Sequence, residues 1–112
     1  MQQRQEARDA FDDFPTPMWA TRALCHWLLR QGHELWCAEV DEPCANRGYM
    51  VRVLYEFFGK VNASDIHDYG AGYLLNDYLF GGDPDATDWT IANPPFRLAQ
   101  QFIERALRVS NT

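Results

Sequence analysis

Lysine is almost missing from this chain. Lys60 stands alone, and 10 basic residues face 16 acidic ones, for a net charge of −6. A free-standing nucleic-acid binder is usually basic, because cationic contacts to phosphate supply most of its affinity, so any nucleic acid this chain acts on is not held by its overall field. Cysteine is scarce and unpatterned. Cys25, Cys37 and Cys44 are odd in number, form no Cys-x-x-Cys pair and match no zinc spacing. They read as structural thiols and no metal site is expected, although Cys44, in a glycine-containing loop, has the best claim to more. His26, His33 and His67 pair with no Cys or carboxylate at ligand spacing and read as surface or loop residues. No apolar run approaches the length that spans a bilayer. Residues 1–14 are polar and charged, without the apolar core of a signal peptide, which predicts a cytoplasmic protein with no membrane partner. Repeats and low-complexity tracts are missing as well.

What remains is a globular composition, 112 residues long and 46% apolar, enough for one small domain. Residues 1–13 read as a polar arm and 14–112 as the domain. Thr16 and Pro17 open the first helix as cap and first helical residue. Ala20, Ala23, Leu24, Trp27 and Leu28 are expected on its inner face, and Gly32 ends it. The apolar run 35–40 predicts a strand with Asp41 and Glu42 at its carboxyl end. Gly48 opens a second helix that turns Met50, Val53, Leu54 and Phe57 inward, and Gly59 stops it. Strands are expected at 60–65, 74–77 and 89–92. A last helix is expected at 97–109, with Ala99, Phe102, Ile103 and Ala106 inward. Trp27, Phe57 and Phe58 read as core aromatics. Strands alternating with amphipathic helices imply right-handed βαβ units and a parallel sheet. Such sheets bind ligands at the carboxyl ends of their strands, and four of those ends are polar here: Asp41-Glu42, Asp65, Asp77 and Asn93.

The turn 42–48, Glu-Pro-Cys-Ala-Asn-Arg-Gly, brings backbone close to the N-terminus of the second helix, where a ligand can be held. It has a single glycine, against the three of a dinucleotide fingerprint, which disfavours NAD. The carboxylate at the strand end suits a ligand with a positive group, such as the sulfonium and ammonium of S-adenosylmethionine, but equally suits a helix cap. Asp65 follows Gly48 by seventeen residues. A carboxylate there can accept both hydroxyls of a ribose, or cap a loop. Asp77 can accept from an adenine amino group, although Asn76-Asp77 is also a turn pair.

Asn93-Pro94-Pro95-Phe96 is the most specific signal. An exocyclic amino nitrogen is a poor nucleophile because its lone pair is delocalised into the ring. Two acceptors that take its two hydrogens draw it towards tetrahedral geometry. The Asn93 side-chain oxygen and the Pro94 carbonyl are suited to that task, and the two prolines aim the carbonyls in advance. Phe96 can stack on an extruded base, an interaction worth about 1–3 kcal/mol. A strand-ending Pro-Pro turn is the plainer alternative.

Taken together, Pro15-Thr16-Pro17, Glu42-Pro43-Cys44-Ala45-Asn46-Arg47-Gly48, Ser64-Asp65-Ile66, Asp77-Tyr78-Leu79 and Asn93-Pro94-Pro95-Phe96 resemble, in order, the phage and prophage family of class I S-adenosylmethionine-dependent methyltransferases. The resemblance spans about residues 11–109. It implies a Rossmann-like α/β sheet with helices on both faces, of which this chain carries the front half, about three or four parallel strands. The family continues with further strands that complete the sheet and bear target recognition. S-adenosyl-L-methionine is the implied cofactor and adenine N6 in DNA the implied target. Pro15, Thr16 and Pro17 would touch the methionine end of the cofactor. Glu42, Pro43, Cys44, Asn46 and Gly48 would hold it, Asp65 and Ile66 would take the ribose, and Asp77 and Tyr78 the adenine. Asn93, Pro94, Pro95 and Phe96 would carry the catalytic grip on the amine. Motif order resembles the gamma-type arrangement of adenine-N6 enzymes. Asn46 departs from the family pattern, which has glycine there. The alternative function is a non-catalytic remnant acting as a cofactor-binding or protein-interaction module. A homo-oligomer or a completing chain is expected to pair through strand 89–92 and helix 97–109.

Overall fold

The computed structural model describes residues 16–65, 70, 72–75, 78–79, 87–94 and 96–110. Helix α1 (Met18–Arg30) leads into β1 (Glu39–Glu42), α2 (Tyr49–Phe57), β2 (Lys60–Asp65), β3 (Leu74–Leu75) and β4 (Trp89–Thr90); a 3-10 turn (Phe96–Leu98) then opens α3 (Ala99–Val109). The strands form one parallel sheet in the order β3-β2-β1-β4. The chain thus steps outward in one direction from β1 to β3, then returns to the other side of β1. This is the expected α/β class with parallel strands.

Alternation along the strands sorts the sheet into two unlike faces. Val40 and Glu42 share a face with Val61, Ala63 and Asp65, since Val40 is level with Val61 and Glu42 with Ala63. Against this face Cys25, Leu28, Val51, Leu54 and Phe58 complete the core. Burying side chains of this size stabilises by about 1.5–3 kcal/mol each. The opposite face carries Glu39, Asp41, Lys60, Asn62, Ser64 and Thr90. Parallel sheets are usually apolar on both faces; this one is polar on the second. There α3 stacks Phe102 against Tyr78 and lays the Arg105 guanidinium over the same ring.

Several expectations are corrected. β1 begins at Glu39, not Leu35. Residues 35–38 close into a turn through Ala38 N–H to Leu35 O at 2.9 Å, and their carbonyls receive Gly59 and Lys60. Asp41 and Glu42 remain at its carboxyl end, as expected. In α1 the N-cap is Pro17, not Thr16, and no side chain caps the helix. The buried residues of α1 are Thr21, Cys25 and Leu28. Of the predicted inner face only Leu28 is buried; Ala23 and Leu24 are exposed, and Trp27 is 50% exposed rather than core. Apolar residues surround α1 almost completely, so periodicity admits two solutions, and the one against α2 wins. In α2, Val53 and Leu54 are buried as expected, with Val51 added, while Met50 and Phe57 are half-buried. In α3, Phe102, Arg105 and Val109 are buried, whereas Ile103 is exposed. β2 has its predicted bounds. β4 is shorter than 89–92, although Ile91 N–H still donates to Asp41 O at 3.0 Å. Among the described residues no helix is long and apolar enough to cross a membrane.

Candidate functional site

The site is organised by the turn between β1 and α2. Glu42 is level with Ala63 on β2. Asp65 lies two residues farther along, about 7 Å at strand rise, which sets it beside the turn and not beside the strand. Each carboxylate then takes one N–H of the turn. Cys44 N–H donates to Glu42 Oε1 at 2.7 Å, and Asn46 N–H donates to Asp65 Oδ2 at 2.8 Å. Two further bonds fix the turn: Ala45 N–H to Ser64 O and Gly48 N–H to Ala45 O, both 2.8 Å.

Two residues of the turn adopt left-handed backbone. Asn46 has φ +54°, and it is the one non-glycine with positive φ among the described residues. Asparagine tolerates this region better than most residues, and its Oδ1 accepts Arg47 N–H at 2.7 Å. Gly48, at φ +91°, is the N-cap of α2. A Cβ on Gly48 would run into the Tyr73 hydroxyl. Tyr73 thus covers the helix N-terminus from the segment before β3. Sequence reading missed it; the usable signal was an aromatic directly after Gly70-Ala71-Gly72.

The electrostatics follow from burial. Glu42 is 1% exposed. Loss of hydration raises its pKa to about 8; the Cys44 N–H works against the rise, and the nearby Asp65 charge adds to it. The carboxyl is therefore mostly protonated at neutral pH. Burial also pushes the Cys44 thiol far up, with Glu42 and Asp65 reinforcing the shift. Burial thus favours the thiol of Cys44 over the thiolate, which is the reactive form. Cys25, Cys37 and Cys44 are all free. Among the described residues no group of three or more His, Cys, Asp or Glu could hold a metal ion.

β4 lies on the other side of β1, with Thr90 level with Asp41. Asn93 and Pro94 follow Ile91 at the carboxyl end of the sheet, the end that carries Glu42, Asp65 and the turn. Thr16 and Pro17 precede α1, half-buried and exposed respectively. Tyr78 is buried on the polar face against α3. Pro15, Ile66, Asp77, Pro95 and the Phe96 side chain lie outside the described residues. A cavity of about 480 Å³ runs along β2, lined among others by Asp41, Pro43, Asn62, Ser64, Tyr73 and Tyr78.

No family model, curated protein or solved structure matches the chain.

Proposed function

We propose that this chain is a Rossmann-like class I methyltransferase unit, acting on an exocyclic amino group with adenine N6 in DNA as target. The observation that carries the reading is the convergence at one sheet end. Glu42 and Asp65 flank a single glycine-capped turn, and the strand leading to Asn93-Pro94 is the neighbour of β1 on the other side. In open parallel sheets a ligand sits at the carboxyl ends where strand order reverses, here between β1 and β4.

The residues suit S-adenosylmethionine, which supplies an electrophilic methyl group when bound. Glu42 is a buried carboxyl that gains a partner when an ammonium or sulfonium approaches. The N-terminus of α2 lacks a side-chain cap, so its N–H groups would suit a ligand carboxylate once the Tyr73 ring over Gly48 moves aside. Asp65 can accept from ribose hydroxyls while Oδ2 keeps the Asn46 N–H. Asn93 Oδ1 and the Pro94 carbonyl would accept the two amine hydrogens and free the nitrogen lone pair for the methyl group the cofactor would supply. Holding the two reactants in line is worth up to about 7–11 kcal/mol. The proton departs to water after transfer, so no strong base is required. At net charge −6 the overall field of the chain does not gather duplex DNA, so a DNA target would be held by local contacts. A cytoplasmic location belongs to the same proposal.

A second reading has an observation of its own. Glu42 and Asp65 already accept turn N–H groups, a role that needs no ligand and fits a non-catalytic remnant. Calorimetry with S-adenosylmethionine tests the cofactor site. Binding that Asp65→Asn weakens supports the cofactor site, and labelled methyl transfer lost in Asn93→Ala then separates an enzyme from a cofactor-binding remnant; no binding at millimolar cofactor eliminates the first reading.

A further inference from the structure

Helix α1 has two apolar stripes, and the domain buries one of them. Thr21, Cys25 and Leu28 are buried on the side that meets α2. With about 3.6 residues per turn, Trp19, Ala20, Ala23, Leu24 and Trp27 make a second stripe on the side turned away. Trp19 is 72% exposed; Ala23, Leu24 and Trp27 are exposed and Ala20 is half-buried. A helix that is apolar all round is ordinarily buried all round, and an exposed stripe of this kind marks a docking face.

Position, pattern and charge single out one occupant. Residues 1–15 lie outside the described part of the chain and join it at Thr16, at the end of the stripe that bears Trp19. Pro17, the N-cap of α1, is extended at φ −61° and ψ 143°, so the chain before α1 leaves the helix axis and can return alongside it. Ala7, Ala10, Phe11 and Phe14 recur at the i, i+3, i+4, i+7 spacing of one helix face, among helix formers such as Gln5, Glu6 and Arg8, and Pro15 stops the pattern. α1 holds Arg22 and Arg30 and no acidic residue, whereas residues 1–15 hold Glu6, Asp9, Asp12 and Asp13 against Arg4 and Arg8. The first turn of α1 has no acid and no side-chain cap. A helix N-terminus favours negative charge, and Asp12 and Asp13 are close by in the chain.

We propose that residues 2–14 dock as a helix, antiparallel to α1, on the stripe that begins at Trp19. Such a helix is about 20 Å long, which matches the 13 residues of α1. The link Pro15-Thr16-Pro17 has the length usual between antiparallel helices. So short a return sets Phe14 near Ala20, Phe11 near Ala23, Ala10 near Leu24 and Ala7 at the margin of Trp27. Each large side chain then meets a small one, the arrangement that lets two faces interdigitate. A helix this short is marginal in water by itself, so its folding and its docking are coupled. The inference is independent of methyl transfer.

The experiment uses the full chain labelled with 5-fluorotryptophan, with a soluble gadolinium chelate as the probe of exposure. Trp36, 74% exposed, is the internal reference, because the rest of the domain leaves it as open as Trp19. With the arm docked, the chelate should relax the Trp19 fluorine severalfold less than that of Trp36. The double variant Phe11→Ser, Phe14→Ser removes the two large side chains of the arm and leaves the domain untouched, and it should raise Trp19 to the level of Trp36. Ala23→Arg, at an exposed position of α1, blocks the place of Phe11 and should do the same. Amide spectra of the domain residues check that both variants stay folded. Equal relaxation of Trp19 and Trp36 in the wild type overturns the proposal. So does protection of Trp19 that survives both variants, and so does protection that grows with protein concentration, which would give the stripe to a second copy of the chain.

Discussion

Asp65 and Asn46 are nineteen residues apart in the chain, yet the Asp65 carboxylate accepts the Asn46 N–H at 2.8 Å. The bond crosses from the end of β2 to the turn after β1 and holds Asn46 at φ +54°. The carboxylate proposed for the ribose is therefore also a brace for the turn proposed for the rest of the cofactor.

A left-handed residue held this way predicts an order of substitutions. Asn46→Gly should leave stability nearly unchanged, because glycine adopts this backbone freely. Asn46→Ala should destabilise by about 1–2 kcal/mol, the cost of the left-handed region to an L residue. Urea denaturation of the three proteins checks this. Equal stability of Asn46→Ala and wild type would show that the turn is not held left-handed in solution.

Glu42 predicts how stability varies with pH. Its folded pKa, about 8, lies above the ordinary value of 4.5. An acid shifted upward stabilises the fold fully below its unfolded pKa, and that contribution is lost as pH rises through the folded pKa. Between about pH 4.5 and 8 stability should fall, by an amount on the order of a few kcal/mol. Glu42→Gln keeps an acceptor for the Cys44 N–H and carries no charge, so its stability should be flatter across that window. Unfolding midpoints at three pH values decide between the two profiles.

The same group predicts a proton signal on binding. A cation that pairs with Glu42 favours its ionised form, so a proton is released as S-adenosylmethionine binds near neutral pH. Binding heats measured in two buffers of different ionisation enthalpy should then differ, and the difference should vanish in Glu42→Gln. Binding without proton release would place the positive groups of the cofactor away from Glu42.

Much of this arrangement is legible in the residues. β2 has its predicted bounds because glycine stops one element before it and apolar and polar residues then alternate through to Asp65. That Glu42 and Asp65 share one face at the carboxyl end of the sheet follows from parallel strands with alternating side chains. The start of β1 is not legible in the same way, because the apolar run 35–40 marks packing and not the ladder: Leu35 and Ala38 are buried in the turn before the strand. The engagement of both carboxylates by turn N–H groups is hidden too, since composition does not say which atoms a carboxylate meets. The hydrogen bonds from the Asn62 amide to Glu39 and Asp41 depend on the register between β1 and β2, which spacing along one strand does not contain.

The inner face of α1 gives a direct comparison of side chains. Leu28 is 5% exposed and Trp27, beside it in sequence, is 50% exposed. Leu28→Ala should cost about 2–5 kcal/mol, as for other buried leucines. Trp27→Ala should cost less than about 1 kcal/mol, near the range of surface substitutions. A larger loss for Trp27→Ala would return it to the core.

The open edge of β4 bears on assembly. After α3 the chain comes back alongside β4, where Thr87 pairs in parallel with Ser110 and Thr87 N–H donates to Val109 O at 3.0 Å. The Ser110 and Thr90 hydroxyls are also in contact. One end of the edge is thereby covered, and a second copy approaching antiparallel across a two-fold axis would meet Ser110 before it could pair along the full strand. Uncovered edges invite association. Because this one is part covered, the intact chain should associate weakly through β4, and a chain shortened to end at Leu107, which loses both Val109 O and Ser110, should associate more strongly. Thr90→Lys in the shortened chain places a charge on the exposed strand and should reverse the gain. Sedimentation equilibrium of the three chains at matched concentrations makes the comparison. If shortening leaves the mass unchanged, the β4 edge does not govern self-association, and any oligomer must form through another surface.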